Sequence, residues 1–439
     1  ILADDMGLGK TIQVITFLKS LVDEGVNKHL VVVPTSLLFN WKNELDKFCP
    51  SLTYLIYHGP DRERDHEEWE KYDILLTSYG ILVSDFVSFK NYSFDYCILD
   101  ESQAIKNPAS KRFKAAVSIK AKNRLVMTGT PIENNTFDLY AQMTFVNPGI
   151  FISTEQFRKN YANAIDRDGD KEVAAELNKI VAPFLLRRTK EVVAQELPPK
   201  VEDVIYCEME SEQRKVYDAH RNAYRSEILG MIEERGLENS KLHILQALTR
   251  MRQICDSPAL LKGEDHYGEQ SVKIKELLNH VKEKTGNHKM LVFSQFVTML
   301  GLIREELDNE GINYAYLDGQ TTQKNRKKAV DTFQEDEDTR VFLISLKAGG
   351  TGLNLTAADY VYIVDPWWNP AVENQAIDRC YRIGQDKKVI AYRMICKDTL
   401  EEKIMEYKAR KQSVADALIT TDESIMKKIT QEEMLALFG

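Results

Sequence analysis

The feature that most constrains this chain is a set of short, unbroken apolar runs separated by longer segments with helical spacing. Leu30–Val33, Ile74–Leu76, Tyr96–Leu99 and Leu125–Met127 carry almost no polar alternation. A strand with one wet face would alternate, so these runs read as strands buried on both faces. Between them, Thr11–Leu21 and Leu37–Phe48 place apolar residues three and four apart. Strands alternating with such helices build βαβ units on a parallel sheet. The same pattern returns at Met290–Phe293, Tyr314–Leu317, Val341–Ser345, Tyr360–Val364 and Val389–Ile395. From about Phe145 to His288 the chain is charged and mostly helical in pattern, with a breaker at Leu197-Pro198-Pro199-Lys200. Glu401–Lys411 and Ser413–Ile419 read as C-terminal helix.

The expected fold is therefore α/β, with two parallel-sheet lobes in tandem and a helical insertion between them. The expected boundaries are 1–144 for the first lobe, 145–285 for the insertion and linker, and 286–439 for the second lobe. A length of 439 residues accommodates this at about 100–200 residues per domain. No apolar run approaches the roughly 18 residues that cross a bilayer, and the opening Ile1-Leu2-Ala3-Asp4-Asp5 lacks the basic start of a secretory signal. Cys49, Cys97, Cys207, Cys255, Cys380 and Cys396 are scattered without Cys-x-x-Cys spacing, which suggests small buried thiols of an intracellular protein. The net charge of −9, taken alone, speaks against a nucleic-acid partner.

Local chemistry concentrates at Asp4-Asp5-Met6-Gly7-Leu8-Gly9-Lys10-Thr11, a strand end running through a glycine loop into a helix. Gly7 and Gly9 allow backbone N–H groups, including that of Leu8, to curl around phosphate oxygens at the positive end of a helix. Lys10 is suited to reach the β/γ-phosphates, and Thr11 to ligate magnesium. The general phosphate-loop pattern G-x-x-x-x-G-K-[ST] wants glycine where this chain has Asp4, so a glycine turn before an ordinary helix stays open. A second element, Asp100-Glu101, follows an apolar run. Asp100 could hold Mg²⁺ and Glu101 polarise an attacking water, although a solvated strand end also fits. Arg379 and Arg382, three apart on an expected helix face, are candidates to compensate phosphate charge. A surface ion-pair network would look the same.

Together these motifs resemble the Swi/Snf-type DNA-dependent ATPases of helicase superfamily two. In the first lobe the matching blocks are Asp5–Thr11, Val33–Leu38, Thr77-Ser78-Tyr79, Asp100-Glu101-Ser102-Gln103 and Thr128-Gly129-Thr130-Pro131. In the second they are Ser294-Gln295-Phe296, Leu317-Asp318-Gly319, Ser345–Leu355, Asp365-Pro366-Trp367-Trp368-Asn369-Pro370 and Gln375–Gln385. The resemblance implies two RecA-like lobes, with ATP and Mg²⁺ bound at their cleft by Gly7, Leu8, Gly9, Lys10, Thr11, Asp100 and Gln103, and Arg379 and Arg382 reaching across to the phosphates. It implies duplex DNA as partner, touched by Pro34, Thr35, Thr77, Ser78, Ser294, Gln295, Lys347 and Trp368. Small hydroxyls, amides and one cation can grip a phosphate backbone without reading sequence, and an exposed tryptophan can pack on sugars or bases. Trp41 and Trp367 read as packing residues, and Lys324–Lys328 as either a backbone contact or a solvated helix face. Phe184–Lys190 matches the family's inter-lobe protrusion.

The family has an upstream adenine-recognising segment, which is expected to precede Ile1. Gln103 stands where many relatives carry His, a variant frequent in bacterial members. The expected setting is accordingly the bacterial cytoplasm, associated with the nucleoid, or the nucleus if the source is eukaryotic. The implied function is an ATP-dependent duplex-DNA translocase that remodels or displaces DNA-bound proteins. The alternatives are a strand-separating helicase or restriction-type translocase and, from another class, a non-enzymatic DNA-binding scaffold. A transporter-type ATPase is disfavoured because the sequence holds no Leu-Ser-Gly-Gly-Gln motif.

Overall fold

The apolar runs are strands buried along their length. The computed structural model describes residues 1–129, 136–167, 169–261, 271–349, 353–366, 370–412 and 431–438. It divides into two units, Ile1–Leu197 and Pro198–Gly439. In the first, β1 (His29–Val33), β2 (Tyr54–Tyr57), β3 (Ile74–Ser78), β4 (Ser93–Leu99) and β5 (Lys120–Val126) form one sheet in the order β2-β3-β1-β4-β5. All its pairings are parallel, with His29 opposite both Ile74 and Tyr96. Val31 and Val33 face helices α1 (Lys10–Asp23) and α2 (Leu38–Phe48) and pack with Ile15, Leu18, Trp41 and Leu45. Leu30 and Val32 face the other way, into Trp69, Phe89 and Phe94. Each such side chain withdrawn from water contributes about 1.5–3 kcal/mol, which is why these strands tolerate no polar alternation.

The second unit repeats the scheme with β6 (Lys200–Cys207), β7 (Lys289–Ser294), β8 (Tyr314–Leu317), β9 (Val341–Ser345), β10 (Ala358–Ile363) and β11 (Val389–Cys396). Their order is β6-β11-β10-β7-β9-β8, again all parallel. Met290 and Val292 pack with Leu248 and Met251 of the long helix Ser211–Asp256, while Leu291 and Phe293 pack with Phe333 and Ile377. That long helix is broken at Gly236, whose φ of 76° only glycine adopts without strain.

The stretch 145–285 is shared between the two units rather than standing apart. It also contains a strand that helical spacing did not suggest. β6 pairs along its whole length with β11, from Lys200 opposite Val389 to Cys207 opposite Cys396. It is an edge strand with mostly exposed or half-exposed residues, so it lacks the apolar signature of its neighbours. The helix expected at Glu401–Lys411 is present as Leu400–Gln412, whereas Ser413–Ile419 lies outside the described residues. Among the described residues no helix is long and apolar enough to cross a membrane. Five of the six cysteines are buried, and Cys49 is partly so.

Tight packing at the end of β9 sets a testable limit. A Cβ on Gly349 would lie 2.7 Å from the Phe293 ring and 3.1 Å from Ile344, whereas one on Gly301, in the helix Val297–Asn309, would meet nothing within 4 Å. Gly349→Ala should destabilise the second unit by about 1–3 kcal/mol. Gly301→Ala should stabilise it by about 0.5–1 kcal/mol. Urea titration of both variants checks the pair, and equal effects would contradict the packing described.

Candidate functional site

In the first unit the glycine loop starts beside the carboxyl ends of β4 and β5. Leu2 bridges in parallel to Met127 on one side and Leu186 on the other. Its N–H donates to Val126 O at 2.7 Å, and its carbonyl accepts from Thr128 N at 3.0 Å. The chain then turns through Gly7 (φ 85°) and Gly9 (φ 73°), both left-handed, and enters α1 at Lys10. Successive amides in such a turn, at a helix N-terminus, form an anion-receiving concavity. Lys10 Nζ donates to the carbonyls of Asp4 (2.7 Å) and Asp5 (3.2 Å), so the ammonium is held over the loop. Leu8 turns its side chain into the core and can offer only its backbone.

Asp4, the residue that departs from the general phosphate-loop pattern, is fully buried and has a definite use. Its carboxylate accepts from Arg188 Nε (3.1 Å), Arg188 Nη2 (2.5 Å), the Arg188 backbone N–H (2.9 Å) and Gln13 Nε2 (3.3 Å). Burial pushes this carboxyl up, but the hydrogen bonds from Arg188 and Gln13 outweigh it, and Asp4 remains below its ordinary value. The segment Phe184–Lys190, expected as part of a protrusion, therefore runs beside Ile1–Asp5. Ala3 N donates to Leu186 O at 2.7 Å, and Asp5 N to Arg188 O at 3.0 Å.

Asp100 and Glu101 follow β4 at the same end of the sheet. Asp100 is buried, and its carboxylate accepts from Trp41 Nε1 (2.8 Å) and from Glu101 N (2.9 Å), while Tyr79 Oη donates to its carbonyl (2.8 Å). Burial, then the adjacent Glu101 charge, pushes the Asp100 carboxyl up to about 7, against the opposing pull of Trp41 and of Lys10. That pull brings Lys10 and Asp100 into one electrostatic site. Glu101 adopts a left-handed conformation (φ 48°), at a cost of about 1–2 kcal/mol for a residue with a side chain. Gln103 Nε2 donates to its carboxylate at 2.7 Å, and Gln103 Oε1 is buried without a hydrogen-bond partner among the described residues. Gly129 closes the site, since a Cβ there would lie 2.8 Å from Met6 and 3.7 Å from Lys10 Nζ. Thr130 and Pro131 of that block lie outside the described residues.

This donor set fits a nucleotide with a hard divalent cation. Left-handed glycines at a helix start, a loop-held lysine, a hydroxyl at Thr11 and a buried carboxylate at Asp100 are oxygen and cation partners for phosphate and Mg²⁺. Trp41 is the functional neighbour that packing logic alone missed. It is buried in the core as expected, yet a buried indole N–H needs an acceptor, and here that acceptor is Asp100.

The other expected residues distribute unevenly. Arg379 and Arg382 do not share a helix face, because the helix Pro370–Ile377 ends before them and the chain turns back through Cys380 N→Ile377 O and Arg382 N→Cys380 O. Arg379 is buried, and Arg382 Nη1 donates to Leu353 O at 3.1 Å. Three hydroxyls expected to face phosphate are instead internal. Thr77 donates to Tyr57 O at 2.9 Å, Ser78 caps the next helix through Ile81 N, and Ser294 accepts from Phe296 N at 3.0 Å. At the last residue of a buried strand, a small hydroxyl satisfies the turning backbone. Thr35 and Lys347 are exposed, Pro34 and Gln295 partly so, and Trp368 lies outside the described residues along with Trp367.

Two variants probe this geometry. Trp41→Phe removes a hydrogen bond that favours the ionised Asp100, so the carboxyl should titrate at still higher pH, which carbon NMR of the nucleotide-free protein can follow. An unchanged or lowered midpoint would contradict the pairing. Arg188→Ala leaves the buried Asp4 carboxylate short of its main donors and should cost about 1–3 kcal/mol. It should also speed proteolysis within 184–190, and retained resistance would count against the clamp.

Comparison with known proteins agrees with the motif order. The SNF2-related domain matches residues 1–260, and the helicase conserved C-terminal domain matches residues 272–384. A Bacillus subtilis protein named as an ATP-dependent helicase/translocase, YwqA, is 38% identical over 443 residues, covering 98% of this chain and 48% of its own. The mouse SWI/SNF-related matrix-associated actin-dependent regulator of chromatin subfamily A member 1 is 34% identical over 461 residues, covering 100% and 43%. The chain thus spans about half or less of the length of the curated relatives it matches. Among solved structures, the Sulfolobus solfataricus SWI2/SNF2 ATPase core in complex with dsDNA is 38% identical, with 99% of this chain and 91% of that one covered and a TM-score of 0.47. On the two matched regions and the 38% identity to YwqA over 98% of this chain, it belongs to the Swi/Snf-type, SNF2-related family of ATP-dependent helicases.

Proposed function

We propose that this chain is an ATP-driven duplex-DNA motor that shifts or strips DNA-bound proteins. The observation that carries the reading is the convergence of Lys10, Asp100-Glu101 and Gly129 at one end of the first sheet. In this reading the amides of Gly7, Leu8 and Gly9 receive phosphate oxygens, and Lys10 moves from the loop carbonyls to the β/γ-phosphates. Thr11 and Asp100 would hold Mg²⁺, which when bound would offset the charge of the phosphates. Glu101, its carboxylate oriented by Gln103, positions a water for attack on the γ-phosphorus and takes its proton as the bond to the β-phosphate oxygen breaks. ADP and inorganic phosphate are the products.

Contact with DNA falls to Pro34, Thr35, Gln295 and Lys347, to the chain at Thr77, Ser78 and Ser294, and to Trp368. Amides and hydroxyls at strand ends suit a partner read through its backbone rather than its sequence. The net charge of −9 is no obstacle, because a few local phosphate contacts, not the chain total, set such an affinity. The chromatin-regulating role in the name of the mouse relative supports a protein–DNA complex as the target. The name helicase, carried by several relatives, favours strand separation as the second reading.

The reading is tested by ATP hydrolysis without nucleic acid and with duplex DNA, single-stranded DNA or RNA. Duplex DNA should stimulate most, and Lys10→Ala should reduce the stimulated rate by at least about a hundredfold, as expected for loss of a group holding the transferred phosphate. An RNA-selective or DNA-independent rate would overturn the proposal. A forked duplex that loses a strand under ATP would replace translocation with unwinding.

A further inference from the structure

In the second unit, five ionisable side chains are buried together under the carboxyl ends of β7 and β10. Arg252, Asp256, Lys273, Asp365 and Glu401 are each 2% exposed or less. They come from the end of the long helix, the helix Val272–Asn279, the residues after β10 and the helix Leu400–Gln412. Burying so many charges is costly, and a packed apolar core would be at least as stable. The cluster is better explained by what it holds in place.

Its hydrogen bonds converge on two loops. Arg252 Nη2 donates to the Asp365 carbonyl at 2.9 Å and lies 3.8 Å from its carboxylate. The same guanidinium sits over the Phe296 ring, 5.4 Å from its centroid. The Asp365 carboxylate in turn accepts the Gln295 N–H at 3.1 and 3.2 Å. Lys273 Nζ donates to the Val364 carbonyl at 2.7 Å while paired with Asp256 at 2.9 Å and Glu401 at 2.7 Å. Burial opposes its charge, but the two carboxyls prevail and hold Lys273 well above its ordinary value. Gln295-Phe296 after β7 and Val364-Asp365 after β10 are thus fastened to each other and to the long helix through buried side chains.

We propose that Arg252 is a positioning residue that locks Gln295-Phe296 to Asp365 and so presents the second unit's loops to duplex DNA in one fixed geometry; this rests on the duplex-DNA reading above. The task needs arginine specifically. A planar guanidinium can stack on a ring while its edge donates in its own plane, which an ammonium cannot do. Arg252 touches neither nucleotide nor DNA in this scheme and acts wholly through the loops.

The test compares wild type, Arg252→Lys, Arg252→Met and Phe296→Leu in two measurements. In DNA-stimulated ATP hydrolysis, Arg252→Lys and Arg252→Met should raise the duplex concentration for half-maximal stimulation about tenfold, with the saturated rate within about twofold of wild type. Phe296→Leu, which alters no buried charge, should move the same quantity in the same direction by less. By hydrogen exchange without DNA, the Gln295 and Phe296 amides should exchange at least about tenfold faster in Arg252→Lys, because the restraint on Asp365 is loosened. If Arg252→Met fails to fold, Arg252→Lys and Phe296→Leu decide. Unchanged half-saturation together with unchanged exchange in folded Arg252→Lys overturns the proposal. A general fall in saturated rate without a shift in half-saturation would also overturn it, as would faster exchange spread over the whole unit. Should wild type show no response to DNA, the functional reading fails, and the exchange measurement alone judges the loop lock.

Discussion

Burying both faces of a parallel sheet leaves its polar backbone only one outlet, the ends of the strands. Both units of this protein are built under that constraint, with apolar strands sandwiched between helices. Each strand of a parallel sheet delivers its carboxyl end to the same edge, where loops must turn and where dipoles and side chains can meet a ligand. Lys10, Asp100 and Gly129 lie far apart in the chain but become neighbours because Leu2, β4 and β5 end together.

The same edge has to satisfy its own backbone before it can serve a ligand, and that need takes priority for several residues. Thr77, Ser78 and Ser294 spend their hydroxyls on neighbouring carbonyls and amides. Asp4 spends its carboxylate on Arg188 and Gln13, which ties the returning segment 184–190 to the glycine loop. A residue that looks like a flaw in a phosphate-loop pattern is the anchor that fixes one side of that loop. Polar groups at such an edge therefore divide into those that hold the loops and those left exposed, Thr35 and Lys347 among the latter.

Electrostatics in the two units follows one logic with different ends. Around Asp100, burial and the Glu101 charge raise a carboxyl toward neutrality while Trp41 and Lys10 favour its ionised form. Around Lys273, burial acts against a cation and two carboxyls restore it. The first arrangement is balanced and open to change; the second is closed on itself and holds its surroundings still. Both depend on a dry setting, where a paired charge is worth far more than at the surface.

Much of this was legible in the sequence. Unbroken apolar runs marked the central strands, because a strand buried on both faces admits no other pattern, and Gly7, Gly9, Lys10 and Asp100-Glu101 suggested a phosphate site through residue chemistry alone. The edge strand β6 was not legible, since one partner and an exposed face leave no periodic signature in Lys200–Cys207. Nor was the turn that separates Arg379 from Arg382, which depends on where the preceding helix stops. The Trp41–Asp100 bond, the Arg188–Asp4 clamp and the Arg252–Asp365–Gln295 link join residues 59, 184 and, for Arg252 and Asp365, 113 positions apart. Sequence by itself determined which elements form and what chemistry their ends can carry, because burial and residue type act locally. Only the tertiary structure decided which polar groups are consumed in holding the loops, because that depends on which donors and acceptors packing brings within hydrogen-bond reach.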